Sequence, residues 1–134
     1  MIPDPGKIIH NENSIEGDDI DFEISFYEDV IKASPDFVNA LILLGEAYTQ
    51  KGFHAKALEM DRRLSKLLPT DPTVHYNLAC DYSLLKEPEP CLEALEKALK
   101  FGYRAFKYME KDPDLEFIRQ DMRYKELLYK HRGK

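Results

Sequence analysis

The chain has 134 residues, 43% of them apolar and 11% aromatic, and a net charge of −6. That suffices for one domain with a modest core and is too apolar for global disorder. An acidic chain with no basic-aromatic patch argues against nucleic acid as the main ligand, because that recognition starts from cations. The distribution of charge is uneven. Residues 1–36 carry ten acids and two bases, residues 37–96 nine acids and six bases, and residues 97–134 six acids and eleven bases. The front is acidic and the back basic.

In chain order, residues 1–17 (MIPDPGKIIHNENSIEG) are rich in Pro, Gly and Asn without a sustained period, which predicts an irregular N-terminal arm. The first five residues offer neither a basic nor an apolar leader region. No apolar run nears the roughly 18 residues of a membrane span, so a cytoplasmic protein is expected, with no membrane partner.

Residues 18–33 predict a helix with one stripe of Ile20, Ile24, Tyr27 and Ile31 and a second of Phe22, Phe26 and Val30. Asp18 and Asp19 suit its N-terminus, where the helix dipole favours anions. Two apolar sides on one helix require two covers: the next hairpin, and either the arm or another chain. The segment Val38–Pro69 then reads as a helix hairpin. Leu41, Leu44, Ala47 and Tyr48 give one helical period, and Ala57, Leu58, Leu64, Leu67 and Leu68 the second, with a break at Gly52.

Asp71-Pro72 is an N-cap followed by a first-turn proline, and opens a helix to about Leu85. Pro88 and Pro90 belong in the first turn of the next helix, since neither fits a helix interior. Gly102 is the expected C-terminal cap. Short helices are expected over about 103–111, 114–119 and 121–130. A single helical domain over 18–130 and a frayed tail at 131–134 complete the plan. No segment alternates with the period of a strand. Cys80 and Cys91 lack metal spacing and read as small core residues.

A period of 34 runs through this plan. It pairs Leu44 with Leu78, Gly45 with Ala79, Tyr48 with Tyr82, Ala57 with Cys91, Leu64 with Ala98 and Pro35 with Pro69. One hairpin cannot bury its own apolar face, so such units stack and seal one another. The pattern resembles the tetratricopeptide repeat (TPR) family. One full unit matches with Leu41, Leu44, Gly45, Tyr48, Ala57 and Pro69, and a second with Leu78, Ala79, Tyr82, Leu95 and Ala98. A preceding half unit gives Tyr27, Val30 and Pro35. The stretch DPDLEFIRQDMRYKELL is similar to a closing segment found after such repeats in bacterial proteins, so a small stand-alone bacterial member is expected. The resemblance implies an all-α fold, a right-handed superhelical array of antiparallel helix hairpins. This TPR-like α-solenoid has about two and a half repeats and a capping C-terminal helical segment. Departures fall at Glu23 in an Ala slot, Asp61 in an aromatic slot, Leu64 in an Ala slot, His75 in a large apolar slot and Tyr103 in a Pro slot. A small rotation that leaves Asp61 in water is the expected accommodation.

The family's geometry implies a concave peptide-binding face made by Asn39, Ile42, Leu43, Glu46 and Gln50 of the first unit and Thr73, Tyr76, Asn77, Cys80 and Leu84 of the second. Apolar residues with a few amides suit the backbone and side chains of an extended or helical segment. No Lys or Arg stands in these slots, which excludes the family's carboxylate clamp. Glu46 favours a neutral or basic ligand. Gly-rich phosphate loops and helical His pairs are absent from the sequence. A non-catalytic protein-interaction scaffold without cofactor or metal is therefore expected. Two rivals stand beside it: a chaperone-like module for an export substrate, and a subunit that self-assembles through its oppositely charged ends. In the second, Phe22, Phe26 and Val30 are the self-association residues and the product is a homo-oligomer.

Overall fold

The computed structural model describes residues 16–133. Its helices are α1 (Glu16–Ala33), α2 (Val38–Gln50), α3 (His54–Leu67), α4 (Pro72–Leu84), α5 (Pro88–Lys100), α6 (Phe106–Lys111), α7 (Glu116–Arg119) and α8 (Met122–Arg132), with a 3₁₀ turn at Pro113–Leu115 before α7. There is no strand among the described residues. The expected arm over 1–17 lies outside them, apart from Glu16 and Gly17, which begin α1. The final helix runs on to Arg132, into the stretch expected to fray.

The chain is an α-solenoid of stacked helix hairpins. Sequence-adjacent helices pack in order, α1 on α2, α2 on α3, α3 on α4 and α4 on α5, and the closing segment packs on α4 and α5. The helix starts keep the 34-residue step throughout: α2, α4 and α6 begin at Val38, Pro72 and Phe106, and α3, α5 and α8 at His54, Pro88 and Met122. The closing segment is thus a third hairpin in phase with the others, whose inner helix is broken. Pro113 stands where Gly45 and Ala79 stand in the intact units. Proline has no N–H and holds the preceding residue out of the helical region. Asp112 accordingly sits extended and caps the new turn, its Oδ1 accepting from the Asp114 amide at 3.0 Å.

The turns repeat one device. Helices α2, α4 and α5 end with a residue in the left-handed region, Gly52 (φ 79°), Lys86 (φ 61°) and Gly102 (φ 113°). In each the following amide donates back to the helix: Phe53 to Tyr48, Glu87 to Tyr82 and Tyr103 to Ala98, at 2.8–2.9 Å. These are Schellman caps, which satisfy carbonyls the helix end leaves open. Helix α4 begins as expected, with Asp71 Oδ1 accepting from the Thr73 and Val74 amides at 2.8 and 3.1 Å.

Two cores result. Leu41, Leu44, Tyr48, Ala57, Met60, Leu64 and Val74 form the first, joined by Ile24, Tyr27 and Ile31 of α1. Leu78, Ala79, Cys91, Leu95 and Ala98 form the second with Met109, Leu115, Ile118 and Tyr124 of the closing hairpin. Each core is shared by neighbouring hairpins, as the sealing argument requires. Tyr48 donates to Glu28 Oε2 at 2.6 Å and so ties α1 to α2.

One expectation is overturned. Asp61 does not face water: it is buried, against Asp81 of α4, which is buried too. The slot it occupies faces the next hairpin, with Gly45 of its own hairpin beside it. A Cβ added at Gly45 would lie 3.8 Å from Asp61 Oδ1. Burial raises the proton affinity of Asp61, and burial followed by the neighbouring Asp61 raises that of Asp81.

Candidate concave binding face

Helices α2 and α4 carry the inner residues of the two intact hairpins. On α2, Asn39, Ile42, Leu43, Glu46 and Gln50 are all exposed. On α4, Thr73 and Asn77 are exposed and Leu84 is half-buried. Tyr76 and Cys80 break the pattern, because both are buried. Their placement on an open face is corrected by the closing hairpin. The break at Pro113 brings Asp112 against them: Tyr76 donates its hydroxyl to Asp112 Oδ2 at 2.5 Å, and the Cys80 thiol donates to the same oxygen at 3.8 Å. Tyr103 stacks on Tyr76 with ring centres 4.2 Å apart and planes within 6°. Tyr108 of α6, itself exposed, lies 6.3 Å from the Tyr76 ring.

The face is therefore open over α2, half-open over α4 and closed beyond it by Tyr103 and Asp112, on either side of α6. Its apolar floor is Ile42 and Leu43, with Tyr108 beyond, and its polar atoms come from Asn39, Gln50, Asn77 and Thr73. Stepping 34 residues from Ile42 reaches Tyr76, so the inner apolar position that Tyr103 and Asp112 cover in the second hairpin is bare in the first.

Asp112 is the hub that the sequence did not single out. Its carboxylate takes three donors, its carbonyl accepts from Arg119 at 3.0 Å, and Arg119 also donates to the Met109 carbonyl at 2.6 Å. The signal was present as Asp-Pro at an intact unit's Leu-Gly position. Ligand atoms of Cys80, Asp112 and Asp114 lie within 4.8 Å of one another. Burial first, then the nearby carboxylates, hold the Cys80 thiol well above its usual range, so it stays protonated as a donor. Burial likewise raises the Tyr76 hydroxyl. The arrangement is a hydrogen-bonded lock between hairpins.

His75 is buried in its apolar slot, with Nε2 2.8 Å from the Pro69 carbonyl and its ring 5.6 Å from that of Phe101. Cys91 is buried and donates to the Ala79 carbonyl at 3.2 Å. Phe22 and Phe26 are exposed and Val30 is half-buried. No helix among the described residues is long and apolar enough to cross a membrane.

No family model matches the chain. It is 39% identical over 90 residues, 63% of its length, to a curated chloroplastic protein of Arabidopsis thaliana. The chain spans about a quarter of that protein, 26%. Among solved structures it is similar to the TPR-containing MamA protein, with a TM-score of 0.69 and 23% identity, covering 88% of this chain and 63% of that one. That likeness shows the fold: a TPR-like α-solenoid.

Proposed function

We propose that the protein is a non-catalytic interaction module that holds a short peptide segment of another protein on the face between α2 and α4. The observation that carries this reading is the pair Ile42 and Leu43. They are adjacent, apolar and exposed, and the counterpart of Ile42 in the second hairpin, Tyr76, is buried under Tyr103 and Asp112. Apolar side chains left open on a concave wall, flanked by Asn39, Gln50 and Asn77, suit a guest with one or two apolar anchors and a backbone that needs hydrogen bonds. The carboxylate of Glu46 and the absence of Lys or Arg from the inner slots of α2 and α4 favour a neutral or basic guest. The strongly perturbed groups, Asp61, Asp81, Cys80 and Tyr76, are all committed to contacts between helices, which supports binding rather than catalysis.

Selection of displayed random peptides on the immobilised chain tests the reading. Enriched sequences should share apolar anchors, and Ile42→Asp with Leu43→Asp should abolish their recovery while far-ultraviolet circular dichroism stays unchanged. Equal recovery by the variant refutes it. For the compartment, a cytoplasmic location is the reading from the sequence, and the chloroplastic plant relative supports an organelle instead. Fractionation of cells expressing a tagged chain separates the two.

A further inference from the structure

The two ends of the array are unfinished junctions of opposite charge, and we infer that α1 of one copy docks on α8 of the next, head to tail. The repeat register carries the argument. Phe26 stands 34 residues before Met60, which is buried inside its hairpin, and Val30 stands 34 before Leu64, also buried. Yet Phe26 is 51% exposed, because α1 has no partner helix of its own hairpin among the described residues. Phe22 stands 34 before the exposed Lys56. Its own array does not require an aromatic there, but Phe22 is 71% exposed and stacked with Phe26 at 6.4 Å. The stretch upstream does not carry the missing seal in its sequence. At the Leu, Gly and Tyr slots, one step before Leu44, Gly45 and Tyr48, it has His10, Asn11 and Ser14.

The other end mirrors this. Tyr129 of α8 stands 34 residues after Leu95, which is buried in the core shared with the closing hairpin, and Lys125 stands 34 after the buried Cys91. Tyr129 is 79% exposed and Met122, seven residues before it on the same face, is 73% exposed. Charge selects the pairing. The sequence of α1 has seven acids and one Lys, with Asp19 and Asp29 flanking the two Phe at helical spacing. The sequence of α8 has four Lys or Arg and one Glu. Arg123, Lys130 and Arg132 pair with Glu89, Glu96 and Glu110 of the same chain, which leaves Lys125 between Met122 and Tyr129 as the cation of the outward stripe. An acid–Phe–Phe–acid stripe thus meets a Met–Lys–Tyr stripe. The two stripes lie at opposite ends of one array, so each copy can bind one neighbour at each end, and the assembly is open.

Sedimentation equilibrium at low salt tests this with blocked ends. Wild-type mass should rise with protein concentration past that of a dimer, and fall again in high salt. Phe22→Ser/Phe26→Ser, blocked at the head, and Met122→Ser/Tyr129→Ser, blocked at the tail, should each sediment as monomers with unchanged helix content. Their equimolar mixture should form a complex of two chains and no larger, because one intact head and one intact tail remain. Wild type that stays monomeric at every concentration overturns the inference and assigns the α1 face to residues 1–15 or to another protein. A head-blocked chain that still polymerises also overturns it.

Discussion

The buried pair Asp61 and Asp81 makes the stability of this fold depend on pH in a direction opposite to that of most surface carboxylates. Burial is the first cause for both, and each is the other's neighbour; Asp114 adds to the repulsion on Asp81. Two carboxylates cannot both ionise in that site, so the folded chain keeps a proton that the unfolded chain releases near pH 4. Folded-state proton affinity is raised, so the contribution is fully present below the unfolded value and is lost as pH rises towards the folded one. One extra proton in the native state costs about 1.4 kcal/mol per pH unit across that window. Between pH 6 and pH 8 the wild type should lose about 2–3 kcal/mol from this pair. Asp81→Asn keeps the shape, donates to Asp61 and takes up no proton. Urea denaturation from pH 5 to pH 8 should show the variant gaining on wild type by about 1 kcal/mol or more per pH unit. Parallel pH curves for wild type, Asp81→Asn and Asp61→Asn would refute the shared proton.

The left-handed caps give a paired test. Gly52→Ala should destabilise by about 1 kcal/mol, because φ is 79° there, whereas Lys86→Gly should gain up to about 1 kcal/mol at the equivalent position. Thermal melts of both variants check the opposite signs. Asp112→Ala should cost about 2–4 kcal/mol in urea denaturation, since it strands the buried Tyr76 hydroxyl and removes the cap of the 3₁₀ turn.

The repeat was legible because sealing imposes it on many positions at once. Leu44, Leu78, Ala57, Cys91 and Ala98 are buried as their period requires, and Asp71-Pro72 starts α4 as its chemistry requires. What the sequence obscured are places where one position serves two needs. Asp61 reads as a polar residue free to turn to water, but its slot faces the neighbouring hairpin, and burial was bearable because Asp81 offers a partner for a shared proton. Lys86 hides a Schellman cap because the helix end determines its backbone while its side chain reaches the Phe117 ring, 5.2 Å away. Tyr76 and Cys80 were placed on the concave face from intact units. Pro113 breaks the third inner helix, so Asp112 closes over them, a tertiary event that a repeat template does not contain. In α2, where no broken helix follows, all five expected inner residues are open.

The account stands on that open wall. Amide chemical-shift mapping of the isotope-labelled chain with an enriched peptide examines it directly. The account predicts perturbations at Asn39, Ile42, Leu43 and Asn77, with Tyr108 at the boundary and α3 and α5 silent. Shifts confined to α3, α5 or the ends of the array, with α2 unmoved, would contradict it.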